Sequence, residues 1–356
     1  VTSVDAPPGL RPFYCPIEPA LHPDVRLIES RAIDWIDRFR FYRDDKDRAR
    51  VIGTNGAEFY ARFAPSGITG NLQVIAHWVY WAFAFDDACC DSGPYSADPA
   101  GFLPMAGVLQ RALESPWEPV PGGGPFVTAL QDIGRGFHAC ATPSQVRRFC
   151  DAHRAWLFGV AWQIANRSRG RMPSLAEYTA MRLNSAGGPP TLAMLEIANG
   201  AEVPAAELAA PVVRALTEMT MLIDSWDNDL HSYRMEADEK HTDQNLVNVL
   251  SAQYGWTAGR AMDEAYALRD RVMTLFLRTR AGVDGSAALR CYLDGLGHAI
   301  RGNTDWALNV PRYHNYGEPM PHPGWTDRPR DTNPAPPPIP AIRWWWRLCE
   351  LDKENP

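Results

Sequence analysis

The amino-acid sequence predicts a single all-α domain, a bundle of about ten to twelve helices. Three observations lead there. Apolar residues recur at helical spacing from Asp24 to the region of residue 309, with ordinary helix punctuation between the segments. No run of alternating β-branched residues competes with that pattern, and no fixed-period repeat appears. A chain of 356 residues with 46% hydrophobic content has ample material for one large core.

Residues 1–22 form a Pro-rich, aperiodic arm in which Phe13, Tyr14 and Cys15 are available to pack on the body. The domain proper is expected over 23–318, with helices near 24–42, 56–64, 69–90, 97–114, 124–140, 143–168, 174–186, 189–199, 206–234, 245–253, 257–281 and 286–309. Their borders follow from local chemistry: Ser174-Leu-Ala-Glu177 is a capping box, Pro143 and Pro189 open helices, and Gly170, Gly200 and Gly255 close them. The stretch 119–125 is a loop whose glycines lack the Lys and Ser/Thr of a phosphate loop. In 319–356 prolines crowd the chain until Trp344-Trp345-Trp346 arrives between Arg343 and Arg347. Those indoles dock on the helical body, or else serve as a lid or a membrane-surface anchor.

The net charge of -7 and scattered Lys and Arg argue against a nucleic-acid surface. Seven cysteines without C-x-x-C spacing fit reduced thiols in a cytoplasm. The most apolar window, Val74 to Phe85, is too short to span a bilayer, so no membrane insertion is expected. His77, His138, His153, His231 and His298 lack the i, i+4 spacing of a zinc site, and Cys89 and Cys90 are expected to pack rather than to bind a soft metal.

Two stretches carry chemistry. An aromatic run, Trp81-Ala-Phe83-Ala-Phe, ends in Asp86-Asp87-x-x-x-Asp91. On a continuous α-helix Asp87 and Asp91 would lie one turn apart, with Asp86 about 100° to the side, a carboxylate cluster suited to a divalent cation. Further on, Asn228, Ser232 and Glu236 stand at i, i+4 and i+8 on another apolar helix. Each step of four rotates only about 40°, so an amide oxygen, a hydroxyl and a carboxylate form an oxygen-only stripe, the donor set of a hard cation such as Mg²⁺.

With these two motifs the chain resembles the class I terpene synthases of the bacterial type, and the resemblance implies the single-domain helical bundle of that family, built around a deep apolar active-site cavity. The resemblance extends to Arg182, placed about 46 residues before the Asn, and to the Arg312-Tyr313 pair near the C-terminus. It implies three Mg²⁺ ions, with Mn²⁺ as a substitute. Asp86 would be the principal ligand on one side, with Asp87 and Asp91 beside it, and Asn228, Ser232 and Glu236 would hold the other. Arg182, Arg312 and Tyr313 would grip a diphosphate, Asn228 adjoining them. Phe83 and Trp306 would line the pocket with π faces able to stabilise positive charge, and a helix broken after Arg182, at Ala186-Gly187-Gly188, would present a backbone carbonyl to the substrate. Met235 stands where the family usually has Lys or Arg, and Ser185 where many relatives have Asp.

The implied activity is ionisation and cyclisation of a linear isoprenoid diphosphate, farnesyl or geranylgeranyl, to a sesquiterpene or diterpene hydrocarbon or alcohol. Ala82, Ala84, Ala88, Ala186 and Gly187 would leave room for the longer substrate. A homodimer through an exposed helix face is left open. Two rival readings remain: a chain-elongating prenyl diphosphate synthase, disfavoured by the Asn/Ser/Glu motif in place of a second aspartate-rich one, and a noncatalytic helical relative.

Overall fold

Punctuation and apolar spacing set the helices of this computed structural model, which describes residues 9–91, 93–239, 244–313 and 323–354; for 91, 234–239 and 349–354 it describes the backbone path alone. The order is β1 (Phe13–Tyr14), α1 (Val25–Phe39), α2 (Asp45–Ile52), α3 (Gly56–Phe63), α4 (Thr69–Phe85), a π-helix (Asp86–Asp91), α5 (Pro99–Glu114), α6 (Pro125–Cys140) and α7 (Pro143–Ser168). Then come α8 (Leu175–Ser185), α9 (Gly188–Asn199), α10 (Ala205–Leu208), α11 (Pro211–Glu239), α12 (Leu246–Tyr254), α13 (Ala258–Ala281) and α14 (Ala287–Ala307). A 3₁₀ turn at Pro311–Tyr313, β2 (Trp325–Thr326), a second 3₁₀ turn at Pro340–Ile342 and α15 (Arg343–Glu354) complete the chain.

The expected punctuation is present. Ser174 accepts the backbone N–H of Glu177, whose side chain reaches back in a full capping box, and Thr142 with Gln145 does the same ahead of Pro143. Gly200 and Gly255 end their helices in the left-handed region, at φ 62° and 67°.

α11 is the axis of the bundle, packed on α8, α9, α12, α13 and α14, while α4 packs on α1, α3, α6 and α9. An outer helix such as α1 buries one stripe, Ile28, Ala32, Trp35 and Ile36. α4 buries Leu72, Ile75, Trp78, Val79, Tyr80 and Trp81, residues on every side, as a helix enclosed by others must. No described helix is long and apolar enough to cross a membrane.

The arm and the tail are tied to the bundle rather than trailing from it. Phe13–Tyr14 pairs in parallel with Trp325–Thr326, and Phe13, Tyr14 and Cys15 are all buried. Beneath them lies a charged network in which Arg269 of α13 donates to both oxygens of Asp227 of α11, at 2.8 and 3.0 Å, with both side chains fully buried. Arg269 also donates to the Tyr14 carbonyl, and Asp227 accepts Thr304 Oγ1 of α14 at 3.1 Å. Arg330 joins from the tail, donating to Asp270 and, at 2.8 Å, to the Pro12 carbonyl.

Four expectations change. Asp45–Ile52 is a helix, capped by Asp44, although its only apolar residues besides Ala49 are the last two. The one-turn helix α10 stands apart from α11, which begins at Pro211 and continues to Glu239. The expected helix 69–90 is α-helical only through Phe85 and continues as a π-helix. The tail ends in a helix whose Trp345 and Trp346 are buried. Trp345 Nε1 donates to Glu218 at 3.1 Å, and Arg214 lies over the Trp344 ring. Glu218 is about 15 Å along α11 from Asn228, so the indoles dock on the body away from the metal-motif end and do not form a lid over it.

Candidate active site

One cavity opens between α4, α7, α8, α9, α11 and α14, and it gathers most of the residues expected to act. Its mouth is polar. Asp86, Asn228, Ser232, Arg182, Arg312 and Tyr313 all line it. Its walls are aromatic and apolar, built chiefly from Phe59, Trp78, Phe83, Trp156, Leu192 and Trp306.

α4 delivers Asp86 because it is an apolar helix that stays buried until the cavity rim. There the winding loosens to i→i+5 closure over Asp86–Asp91. The side chains of Asp91 and Glu236 lie outside the described residues, as does that of Met235. Asp87 does not line the cavity: its two oxygens accept Arg312 Nη1 and Nη2 at 2.7 and 2.6 Å, with Arg50 Nη1 3.5 Å away. The expected second carboxylate ligand therefore fastens the arginine expected to grip diphosphate. Arg312 also lies 4.9 Å above the Phe83 ring centre; burial lowers its pKa, but Asp87, joined by Tyr313 and Asp86, raises it well above the ordinary arginine value.

On α11, Asn228 and Ser232 both line the cavity. Asn228 accepts Arg182 Nη2 on Oδ1 at 3.0 Å and donates through Nδ2 to the Tyr313 hydroxyl at 2.7 Å. One turn later Ser232 is buried, its Oγ without a hydrogen-bond partner although the cavity adjoins it. An orphaned hydroxyl one turn from an amide oxygen, in a cavity that Asp86 also lines, is what a hard, oxygen-seeking cation would satisfy, so these residues fit a divalent ion. Among the described residues no group of three His, Cys, Asp or Glu side chains could hold a metal.

The Arg182 segment has a sharp local cause. α8 stops at Ser185; Ala186 follows at φ -81°, and Gly187 takes φ +79° before α9 starts. Gly159 of α7 permits the break, since a Cβ there would meet Ser185 N at 2.6 Å. Ala186 and Gly187 line the cavity with Ser185, whose buried Oγ has no partner. Of the small residues expected to leave room, Ala82 also lines it, whereas Ala84 and Ala88 do not. Phe83 and Trp306 face each other at 5.3 Å, and Trp306 is held by its Nε1 bond to the Thr54 carbonyl at 2.8 Å.

Other residues support the site from behind. Asp229, fully buried, takes Arg182 Nη2 at 2.6 Å, the Tyr178 hydroxyl and the Leu246 N–H at 2.8 Å. Burial raises its pKa, and Arg182 pulls it back without cancelling the rise. Tyr178 precedes Arg182 by one helical turn, the single hint a sequence could offer. Arg167 donates to the carbonyls of Cys90 and Ser96 at 2.7 and 2.9 Å, tying down the chain after the acidic segment. Behind the aromatic wall, His153 Nδ1–H donates to Gln110 Oε1 at 2.9 Å among Trp78, Trp81 and Trp156, and burial pushes its pKa down to about 3.

Residues 77–274 match the family model described as terpene synthase family 2, C-terminal metal binding. The chain is 46% identical to spiroviolene synthase of Streptomyces violens, over 97% of this chain and 98% of the relative. It is 34% identical to bonnadiene synthase of Allokutzneria albata, over 96% and 98%. Among solved structures, the SVS_A2 protein from ancestral sequence reconstruction superposes with a TM-score of 0.87 at 49% identity, covering 96% of this chain and 99% of that one. A crystal structure of a-eudesmol synthase shares the fold, with a TM-score of 0.73 at 22% identity over 83% and 98%.

Proposed function

The chain belongs to the terpene synthase family, and from that premise we propose how its residues divide the work of a Mg²⁺-dependent cyclase. It is a class I terpene cyclase: it ionises a linear isoprenoid diphosphate, closes the carbocation into a cyclic terpene and releases diphosphate. Farnesyl and geranylgeranyl diphosphates are the substrates to test, the first being the one named for (+)-T-muurolol synthase of Streptomyces clavuligerus, 31% identical over 95% of this chain.

Asp86 would hold Mg²⁺ from one motif, and Asn228, Ser232 and Glu236 from the other, for three ions in all. When bound, the ions supply the positive charge that lets the carbon–oxygen bond of the diphosphate ionise. Arg182, Arg312 and Tyr313 bind the diphosphate oxygens, and donors preset at that position stabilise the charge as it develops. Asp87 keeps Arg312 aimed, and Asp229 does so for Arg182. Beyond the mouth, Phe83 and Trp306 present π faces to the cation, while the apolar walls exclude the water that would quench it. Ala186, at the helix break, places backbone beside the reacting carbons.

The observation that supports this reading is convergence: Asn228 and Ser232 of α11, Asp86 of the π-helix that follows α4, and the three donors Arg182, Arg312 and Tyr313 all line one aromatic cavity. The test is incubation of the purified protein with each diphosphate and Mg²⁺, followed by gas chromatography with mass detection and by measurement of released diphosphate. A cyclic product from at least one substrate is expected. Asp86→Ala and Asn228→Ala should each lower turnover by about 10²-fold or more while leaving the thermal midpoint in place. No volatile product from either substrate would sink the proposal, and full rates in both variants would sink the ligand assignment.

A further inference from the structure

Below the polar mouth the cavity carries one acid that neither ion binding nor diphosphate binding employs. Asp224 lies on α11 one turn before Asn228, so it sits about 6 Å farther along the helix axis, at the level of the apolar walls. Asp224 is half-buried and is among the residues that line the cavity. Oδ1 is buried without a hydrogen-bond partner; Asn303 of α14 approaches only the backbone carbonyl, at 3.2 Å. The other described acids of the lining are engaged in the site's binding work: Asp86 is assigned to the ions, and Asp229 anchors Arg182. A lone carboxyl facing an aromatic hollow is costly to keep there, and a cleft acid perturbed by its surroundings is a candidate for proton transfer.

The neighbourhood defines its charge. Asp227 on the same helix and Arg269 on α13 are the charged groups that reach it, and Arg269 is committed to Asp227 and the Tyr14 carbonyl. α14 presents Asn303 and Trp306, and α9 presents Thr191 and Leu192, all neutral. Burial first, and then Asp227, lift the proton affinity of Asp224 well above that of an ordinary carboxylate.

We propose that Asp224 is the proton acceptor that ends the cyclisation, an assignment that rests on the cyclase reading and adds a residue to it. The C–H bond next to the cationic carbon breaks, its electron pair becomes the new C=C bond, and the proton passes to a carboxylate oxygen of Asp224. The acid returns that proton to water once the product has left. Because only the hydrogen facing Asp224 is taken, this residue fixes where the final double bond lies.

Asp224→Asn keeps the shape and removes the proton acceptor. With whichever diphosphate the wild type cyclises, the main alkene should give way in the variant to double-bond isomers or water-quenched alcohols. The wild-type protein supplies a second measurement that does not depend on the variant folding. Its main-alkene fraction should fall as the pH is lowered and the carboxylate is protonated, and in Asp224→Asn that fraction should not change with pH. An unchanged product profile in the variant, or a wild-type profile indifferent to pH, overturns the assignment and leaves the cyclase reading intact. Absence of diphosphate release by the wild type would instead overturn the cyclase reading itself.

Discussion

Asp227→Asn probes the buried anchor beneath the site. The substitution keeps volume and removes one charge from a pair whose side chains are both fully buried. Arg269 would keep the Tyr14 carbonyl and Asp270, the latter at 3.5 Å, but would lose a bidentate partner at 2.8 and 3.0 Å. Removing one member of a buried pair costs about 3–5 kcal/mol, because the remaining charge is stranded. Against a total stability of roughly 5–15 kcal/mol that is a large share. A chain this long should have a urea slope toward the upper end of about 1–3 kcal/mol per molar, so the midpoint should fall by about 1 M or more. Far-UV circular dichroism during urea titration measures it. Adding Arg269→Met to the variant removes the stranded charge and should restore about 1–2 kcal/mol. A midpoint shift below about 0.3 M, or no recovery in the double variant, would refute the view that this pair is a strong internal anchor.

Tyr178→Phe removes a donor that fixes Asp229, and through it Arg182; the loss of about 1–2 kcal/mol should appear as a ~5–30-fold rise in KM for the isoprenoid diphosphate, with a smaller fall in kcat, by steady-state assay. An unchanged KM would mean that Asp229 holds Arg182 unaided. Burial pushes His153 down to about 3 and His77 down to about 4, whereas both titrate near ~6.5 when unfolded. The folded values are the lower ones, so stability is complete above about pH 6.5 and drains as pH falls toward 4, by ~1.4 kcal/mol per pH unit for each residue. Urea midpoints measured from pH 7 to pH 5 should follow that slope, and His153→Gln should lose its share of it.

What could be read from the sequence was what is local. The stripe Asn228, Ser232, Glu236 is visible because four-residue steps on one helix are a property of the chain itself, and the capping box at Ser174 is equally short-range. Arg182, Arg312 and Tyr313 were found by likeness to a family pattern. α2 escaped because Asp-Lys-Asp-Arg-Ala-Arg-Val-Ile offers no apolar period, and α15 because prolines precede a helix that is stabilised by docking on α11. The π winding was hidden since it differs from an α-helix only in which carbonyl each N–H meets. The remaining site residues depend on partners far away in sequence: Arg269 and Asp227 are 42 residues apart, and Arg167 and Cys90 are 77 apart. Asp224 gave no signal at all, because a lone Asp on a helix becomes unusual only once its surroundings are known to be dry and aromatic.

The π winding at Asp86–Asp91 also sets what changes of length the two halves of the mouth can absorb. In an ordinary helix five residues overshoot a full turn by about 140°, so the spacing Asp86-Asp87-x-x-x-Asp91 would point its outer acids apart. Closing at i+5 absorbs the surplus residue. Deleting Ala88 would let the segment rewind as an α-helix with the last acid still one turn from the first. A deletion between Asn228 and Ser232 has no such reserve and would swing the hydroxyl about 100° out of line. One side of the mouth can therefore drift by insertion and deletion, whereas the other can change only by substitution.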